Sequence, residues 1–129
     1  GMKEALLRLR DAGKVLCVAT SKPEPFARAI ADRFGLAECF DFVGGASLDD
    51  TRTKKAAVIE YVLASVGSPE PEQVLMVGDR RHDVEGAAAF GIDCVGVLYG
   101  YGSREELTAA GACFLAEQPA DIADYVLGK

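Results

Sequence analysis

A helix-like segment, a glycine and a short apolar run follow one another five times along this chain of 129 residues. The glycines are Gly13, Gly35, Gly67, Gly91 and Gly111. Glycine just past a helix adopts the left-handed C-cap conformation without the steric cost that other residues incur. The apolar runs that follow cover residues 15–19, 40–43, 74–77, 94–99 and 113–116. The pattern predicts helices and strands in alternation.

The helical segments carry apolar residues at helical spacing. Phe26, Ile30 and Phe34 lie four residues apart and form one stripe, the face that a helix normally turns toward the core. A wider stripe on a later helix consists of Val58, Ile59, Val62, Leu63 and Val66. Ser103 and Glu106 have the spacing of a capping box that opens a helix carrying Leu107.

The apolar runs are short and do not alternate strictly with polar residues. Such strands are usually buried on both faces, as in a parallel sheet covered by helices. Strands that alternate with helices of these lengths are typical of a doubly wound α/β fold. We therefore expect one three-layer α/β domain with a mostly parallel sheet over residues 1–129.

Composition narrows the class of protein. Half of the residues are apolar, which is enough for one core at this length and argues against disorder. The formal net charge of -6, without a Lys/Arg run, argues against a nucleic-acid partner. No apolar run approaches the roughly 18 residues that a membrane span needs, and no leader-like segment opens the chain. We expect a cytoplasmic protein with neither nucleic acid nor membrane as a partner.

The cysteines show no pattern of a metal site. None of them forms a C-x-x-C pair, and the single histidine, His82, has no cysteine nearby in sequence, so the spacing of a zinc site is absent. We expect free, buried, reduced thiols at Cys17, Cys39, Cys94 and Cys113.

Polar groups follow the first three apolar runs. Ligands of open parallel sheets bind at the carboxyl ends of the strands. The first run is followed by T-S-K-P, the second by a loop that leads to two lysines, and the third by G-D-R-R-H-D. A hydroxyl with nearby backbone N–H groups can hold phosphate oxygens, and a lysine ammonium can neutralise a phosphoryl group. Asp79 and Asp83 are hard oxygen donors suited to Mg²⁺.

Each of these residues also has a purely structural interpretation. Thr20 can serve as a helix N-cap, and Asp83 can cap the helix that follows it. The two lysines can form a solvated helix start, although cations at that end oppose the helix dipole. The segment Arg80, Arg81 and His82 is most simply interpreted as an exposed loop.

The ordered set of motifs resembles the haloacid dehalogenase-like (HAD) superfamily. An apolar strand ends in Thr, a Lys follows downstream, and a later strand ends in G-D-x-x-x-D. The stretch GDRRHDVEGAAAFGIDCVGVLYGYGSREEL is similar to the phosphoglycolate-phosphatase-like branch, which includes 5′-nucleotidases. The resemblance covers nearly the whole chain. It implies a Rossmann-like core and a Mg²⁺-dependent phosphatase of a small phosphorylated metabolite.

The resemblance also assigns roles to particular residues. Thr20 matches the hydroxyl that binds the phosphoryl group, and Ser21 follows it as a further contact. Lys55 matches the motif lysine at the start of an apolar helix, with Lys54 as the alternative. Asp79 matches the Mg²⁺ ligand, and Asp83 matches the second acid that supports the metal site.

One family motif has no match. The D-x-D-G-T motif, whose first Asp is the nucleophile that becomes an aspartyl-phosphate, does not occur in the chain, and Asp49-Asp50 has the wrong spacing. The resemblance therefore implies a core domain, residues 1–129, that lies C-terminal to the cap insertion and is incomplete at its N-terminus. We expect this chain alone to be inactive.

The missing family strand would lie between the strands at 15–19 and 74–77. Without it, either those strands pair directly, or another chain fills the gap, as in self-association through the sheet edge, or the fragment is unstable. Two rival functions stay open: a non-catalytic phosphate- and Mg²⁺-binding module, and a phosphomutase or dehalogenase on the same fold. The Asp79 and Asp83 pair argues against a dehalogenase, which needs no Mg²⁺.

Overall fold

The computed structural model describes residues 1–49 and 54–128, which contain six helices and five strands. The helices are α1 (Met2–Asp11), α2 (Glu24–Arg33), α3 (Lys55–Ser65), α4 (Arg81–Ala88), α5 (Arg104–Ala110) and α6 (Pro119–Leu127). The strands are β1 (Cys17–Pro23), β2 (Phe42–Ala46), β3 (Leu75–Gly78), β4 (Asp93–Val97) and β5 (Phe114–Ala116). Asp50, considered above together with Asp49, lies outside the described residues.

The chain divides into two compact units. The first unit is Lys3–Ser68, and the second unit is Pro69–Lys129 together with Gly1–Met2. The strands are accordingly distributed over two sheets, and every strand pair is parallel. The predicted α/β class with parallel strands is confirmed.

The first unit contains a two-stranded sheet in the order β1-β2. Helices α2 and α3 both pack against these two strands. The core here includes Val43 and Ala46 on β2 and Val58, Ile59 and Val62 on α3, which confirms the N-terminal part of the predicted α3 stripe. Strand β2 is largely buried, whereas β1 is half-buried to exposed along its whole length.

The second unit contains a three-stranded sheet in the order β3-β4-β5. Helix α4 packs on β3 and β4, and α6 packs on β5. Val95, Val97, Ala116 and Ile122 form one buried cluster, with β4 as the most buried strand. Strand β3 lies at the edge of its sheet and leaves Val77 38% exposed. The expectation of burial on both faces therefore fails for β1 and β3.

The repeated glycines behave as predicted. Gly13, Gly35, Gly67, Gly91 and Gly111 all have positive φ, between 70° and 102°. That conformation costs an L-residue roughly 1–2 kcal/mol, which explains why glycine recurs at these five helix ends.

The bounds of β1 and β2 differ from the prediction by two or more residues at each end, whereas those of the other three strands differ by at most two residues. Strand β1 begins two residues later than expected and continues through Pro23, so that Thr20 lies within it. Strand β2 runs two to three residues further along the chain and includes Gly44 and Gly45, which were expected to follow it. Glycine is tolerated inside this strand because a Cβ on Gly44 would collide with Val62 of α3.

The apolar stripe on α2 is not part of the core. Phe26 is 62% exposed, Phe34 is 69% exposed, and Ile30 is exposed as well. The buried residues of α2 are Ala27 and Ala31, so the helix packs on its sheet through its small side chains. The helical spacing places the three apolar residues on one face of α2, but α2 packs on its sheet through the adjacent face.

The cysteines are all free, but not all are buried. Cys39 and Cys94 are buried as expected, whereas Cys17 is half-buried and Cys113 is exposed. Cys113 lies just before the short β5, and its Sγ accepts a hydrogen bond from the Tyr125 hydroxyl at 3.5 Å. No helix among the described residues is both long and apolar enough to cross a membrane.

Candidate active site

Thr20 lies in an irregular stretch of β1. Ala19 is opposite Gly44 and Pro23 is opposite Ala46, so four steps along β1 match only two along β2. Extra residues in one strand form a bulge, which redirects side chains and is frequent next to active sites. Gly45 accommodates the bulge, because a Cβ there would lie 2.6 Å from the Lys22 carbonyl oxygen. The predicted N-cap alternative for Thr20 is wrong, since the N-cap of α2 is Pro23.

The hydroxyl of Thr20 is held by the bulge itself. The backbone N–H of Lys22 donates to Thr20 Oγ1 at 3.2 Å. Thr20 is half-buried and Ser21 is exposed. As an acceptor of this bond, the Thr20 hydroxyl keeps its own O–H for donation to a bound oxygen.

Lys55 extends to the same irregular stretch of β1. Its Nζ donates to the carbonyl oxygen of Ala19 at 2.6 Å, one residue before Thr20, in a half-buried position. Lys54 is exposed and is the N-cap of α3, without a side-chain cap. A lysine in the first turn of a helix opposes the helix dipole, and no acidic residue in that turn of α3 offsets it. The helix dipole therefore does not explain why Lys55 stands there. The structure thus brings Lys55, and not Lys54, beside Thr20.

Asp79 and Asp83 lie together in the second unit. Asp79 directly follows β3, and Asp83 is in the first turn of α4. Asp83 Oδ2 accepts the backbone N–H groups of Asp79 at 3.1 Å and of Arg80 at 3.3 Å. Asp83 is 8% exposed, and it is the buried charged residue of the described core. The capping interpretation of Asp83 is therefore correct, and it also fixes the backbone that carries Asp79.

The loop after β4 closes over Asp79. The backbone N–H of Tyr101 donates to Asp79 Oδ2 at 3.0 Å. A Cβ on Gly100 would collide with the Asp79 side chain, and one on Gly102 would collide with the Asp79 carbonyl. The G-Y-G sequence is therefore needed for this close approach, a role that the sequence analysis did not assign to it.

The segment from Arg80 to His82 is not a loop. Arg81 and His82 are exposed but form the start of α4, and Arg80 is its N-cap. The Arg80 guanidinium pairs with Glu106 at 2.9 Å. The interpretation as an exposed loop is corrected here, because Asp83 and Glu106 together order this segment.

The five predicted site residues fall into two sets. Thr20, Ser21 and Lys55 belong to the first unit, and Asp79 and Asp83 belong to the second. Within the described residues no group of three or more His, Cys, Asp or Glu side chains is arranged to hold a metal ion. Asp79 and Asp83 thus offer a partial set of metal ligands, and Thr20 with Lys55 offers a hydroxyl and a cation.

Comparisons with known proteins give the family. The model of haloacid dehalogenase-like hydrolases matches residues 1–91. The chain is 51% identical over 105 residues to the tyrosine-protein kinase PtkA of Mycobacterium tuberculosis, covering 81% of this chain and 36% of PtkA. It is 47% identical over 109 residues to a 5′-nucleotidase of Pseudomonas aeruginosa, covering 84% and 49%. It is 32% identical over 127 residues to a phosphoglycolate phosphatase of Vibrio vulnificus, covering 98% and 55%.

Comparison of the fold with solved structures gives a phosphatase as well. A predicted phosphatase from Clostridium acetobutylicum matches with a TM-score of 0.95 and 38% identity, covering 100% of this chain and 59% of that one. The chain thus spans about half, or less, of the length of the curated relatives named above. Matches in sequence and in fold agree, and the chain belongs to the haloacid dehalogenase-like hydrolase family.

Proposed function

We propose that this chain forms the phosphate- and Mg²⁺-binding part of a phosphatase that acts on small phosphate monoesters. The observation that carries the proposal is the position of Lys55, whose Nζ lies 2.6 Å from the carbonyl of Ala19, the residue before Thr20. A cation and a hydroxyl close together in the bulge of one strand suit a phosphoryl group. Similarity to a phosphoglycolate phosphatase and to a 5′-nucleotidase supports the same reaction class.

Thr20 and Lys55 are proposed to bind phosphoryl oxygens. Thr20 would donate its O–H to one of them, since its oxygen already accepts the N–H of Lys22. Lys55 would place its ammonium against the negative charge that the phosphoryl oxygens carry in the transition state. The exposed Ser21 follows Thr20 within the same bulge and would add a further contact.

Asp79 and Asp83 are proposed to hold Mg²⁺. Mg²⁺ usually keeps several waters and is bound through one or two carboxylates together with substrate phosphate, so two aspartates fit its chemistry. Asp79 would be the direct ligand, and Asp83, whose Oδ2 holds two backbone N–H groups, would keep the ligand loop in place. When bound, the cation would offset the charge of the phosphate.

The proposed reaction also needs a nucleophile. By resemblance to the family, an aspartate attacks phosphorus, and water then hydrolyses the aspartyl-phosphate. The 129 residues contain no D-x-D-G-T sequence, so this aspartate is not among them. We therefore expect a polypeptide of these residues alone to bind phosphate without turning over phosphate esters.

Phosphate binding is tested with two neighbouring lysines. We expect Lys55→Met to weaken the binding of inorganic phosphate about tenfold, because it removes the cation beside Thr20. Lys54→Met is the matched control, since Lys54 is exposed and adjacent in sequence. The measurement is isothermal titration calorimetry with the wild type and both variants. Equal losses in the two variants would contradict the assignment of Lys55.

Mg²⁺ binding is tested with two aspartates of the second unit. Asp79→Asn should abolish Mg²⁺ binding as followed by NMR titration of the backbone amides. Asp93→Asn is the control, because Asp93 is an exposed carboxylate at the opposite, amino end of the parallel strands. Binding that survives Asp79→Asn would contradict the proposed metal site.

Catalysis is tested in a chimera. The N-terminal part of the Pseudomonas aeruginosa 5′-nucleotidase, up to the matched region, is joined to this chain. We expect Mg²⁺-dependent hydrolysis of 2-phosphoglycolate or a 5′-nucleotide, and its loss in Asp79→Asn. A folded chimera that hydrolyses neither ester would favour the alternative, a non-catalytic phosphate- and Mg²⁺-binding module.

A second candidate function is phosphoryl transfer to a tyrosine. The 51% identity with PtkA is higher than the 32% identity with the phosphoglycolate phosphatase, and it favours this candidate. The proposed phosphate and metal residues would serve either acceptor, water or a phenol. The same chimera distinguishes them in two assays. With ATP and a tyrosine-containing protein, phosphotyrosine on mass spectrometry supports the transferase. With a phosphate monoester in place of ATP, release of free phosphate without phosphotyrosine supports the phosphatase.

We also propose self-association through a sheet edge. Strand β3 is an edge strand of its sheet and leaves Val77 exposed, and β1 is an edge strand of the other sheet. Unpaired edges favour pairing with another chain, and a lysine at an edge opposes it. We expect sedimentation velocity to show oligomers of the wild type that decrease in Val77→Lys. A monomeric wild type would contradict the proposal.

A further inference from the structure

Glu106, in the first turn of α5, binds the segment that begins α4. Its Oε2 accepts Arg80 Nε–H at 2.9 Å and the backbone N–H of Arg81 at 3.0 Å. Its Oε1 accepts a longer bond from the second guanidinium nitrogen of Arg80 at 3.4 Å. Both carboxylate oxygens of Glu106 are therefore directed at the residues between Asp79 and Asp83.

This arrangement replaces the capping box predicted for α5. Ser103 Oγ accepts the N–H of Glu106 at 3.0 Å, which is one half of the box. The second half would need the Glu106 carboxylate to turn back to the N–H of Ser103. It instead accepts the N–H of Arg81, one of the first-turn donors of α4 that have no partner within their own helix.

Helix α5 is itself firmly anchored. Leu107, next to Glu106, is fully buried, and Gly111 ends the helix in the left-handed conformation. The loop that precedes α5 also lies against Asp79, through the N–H of Tyr101 and the close approach of Gly102. Glu106 therefore reaches the metal-ligand loop from a rigid element.

The charges around Arg80 give Glu106 a second effect. The hydrogen bond that Arg80 donates to the Glu106 carboxylate raises the pKa of Arg80, and the nearby Asp79 and Asp83 carboxylates raise it further. A guanidinium within range of both aspartates can compete with a cation for them. While it is paired with Glu106, the Arg80 guanidinium does not compete with a cation for the two aspartates.

We propose that Glu106 is a positioning residue for the Mg²⁺ site, which holds the segment Asp79–Asp83 through the N–H of Arg81 and the side chain of Arg80. The Mg²⁺ part of this inference rests on the proposed function. Loss of groups that orient metal ligands typically lowers metal affinity by about 10- to 100-fold. Glu106 would act through the backbone and through Arg80, without contacting the metal.

The test compares Glu106→Ala, Glu106→Gln and Glu105→Ala in the 129-residue chain. Glu105 is the matched control, because it is an exposed glutamate in the same first turn of α5. The first measurement is amide hydrogen exchange of Arg81 without metal. We expect faster exchange in Glu106→Ala, a smaller increase in Glu106→Gln, whose amide oxygen still accepts an N–H, and no change in Glu105→Ala.

The second measurement is the Kd for Mg²⁺ by NMR titration. We expect a rise of about 10- to 100-fold in Glu106→Ala, with partial recovery when Arg80→Ala is added, because the unpaired guanidinium is then removed. A destabilised helix alone would not recover on loss of a second side chain. Wild-type Kd and wild-type Arg81 exchange in Glu106→Ala would overturn the inference. If Glu106→Ala does not fold, Glu106→Gln with and without Arg80→Ala gives the same comparison.

Failure of the proposed Mg²⁺ site can be distinguished from failure of the positioning role of Glu106. A wild type that binds no Mg²⁺, or that still binds it after Asp79→Asn, removes the metal site. The exchange of Arg81 in metal-free protein then decides whether Glu106 holds the segment. Unchanged exchange would reject the positioning role, whatever the segment binds.

Discussion

The first and second units carry opposite charges beside a strand, within the bulge of β1 in the first unit and directly after β3 in the second. After Ala19 the first unit presents the Thr20 hydroxyl and the Lys55 ammonium, and after β3 the second unit presents Asp79 and Asp83. Both units are parallel sheets with helices against them. Both units thus collect polar groups beside a parallel strand, but the residues at that point give the two places opposite charges, which under the proposed function suit a phosphate and a cation respectively.

The two units also hold their loops by different means. In the first unit a strand bulge orients Thr20, and a lysine reaches a backbone carbonyl. In the second unit, carboxylates of Asp79, Asp83 and Glu106 accept backbone N–H groups. A site rich in carboxylates is thus organised mainly by its own acids, and this makes the second unit the more sensitive to loss of an acid.

The largest expected difference is in the free energy of unfolding lost when an apolar side chain is removed from α5 or from α2. Leu107→Ala in the second unit should lower the free energy of unfolding by about 3 kcal/mol, because Leu107 is fully buried. Phe26→Ala in the first unit should change it by less than about 0.5 kcal/mol, since this ring is mostly exposed. Urea unfolding followed by circular dichroism measures both. A large loss in Phe26→Ala would show that the exposed α2 stripe is covered in solution.

The next contrast concerns glycines in close contacts. Gly102→Ala in the second unit and Gly45→Ala in the first should each cost about 2 kcal/mol, because the new Cβ would meet backbone atoms. Gly13→Ala should cost about 1 kcal/mol, since its site is open and only the left-handed backbone is strained. Urea midpoints rank the three variants. A Gly13→Ala loss as large as the other two would argue against contact as the cause.

Acid should affect the second unit specifically through Glu106. Hydrogen bonding from Arg80, and then from the N–H of Arg81, lowers the pKa of Glu106 below its ordinary 4.5. A lowered pKa in the folded state gives stability that is present above the unfolded pKa and is lost as pH falls through the folded one. The protection of the Arg81 amide, the slowing of its exchange relative to an unfolded chain at the same pH, should therefore fall only as pH drops below 4.5 and through the lowered pKa of Glu106. In Glu106→Gln this step should disappear, and a step that persists would assign it to another acid.

The smallest effect concerns thiol reactivity in the two units. Cys113 in the second unit is exposed and should be alkylated first. Cys17 in the first unit should react more slowly, because burial and then the nearby Asp41 raise its pKa and reduce the thiolate fraction. Mass spectrometry after timed iodoacetamide treatment gives the order. Faster labelling of Cys17 would indicate that β1 opens at its edge.

The alternation of elements was predictable because its signals are local. Each of the five glycines lies at a helix end where left-handed backbone is required, and this depends on a few neighbouring residues. The prediction that the α2 stripe is buried was wrong, because burial depends on which face of the helix packs against the sheet. Ala27 and Ala31 are small enough for close packing, whereas Phe26 and Phe34 are not.

The site residues were identified from motif order, and their separate assignments stay predictions. The structure adds the position of Lys55 beside Thr20 and the capping bonds of Asp83. Glu106 was not found as a site residue, because its local spacing to Ser103 indicated a capping box. Its actual partners lie about 25 positions earlier in the chain, and no local pattern identifies a contact of that range.

The bulge in β1 has a consequence for changes in chain length. A one-residue deletion in a regular strand such as β4 would turn every following side chain to the opposite face of the sheet. Between Ala19 and Pro23 the register is already irregular, so a deletion there can be absorbed without shifting Cys17–Ala19. The segment around Thr20 can therefore gain or lose residues while Cys17–Ala19 keep their register with β2.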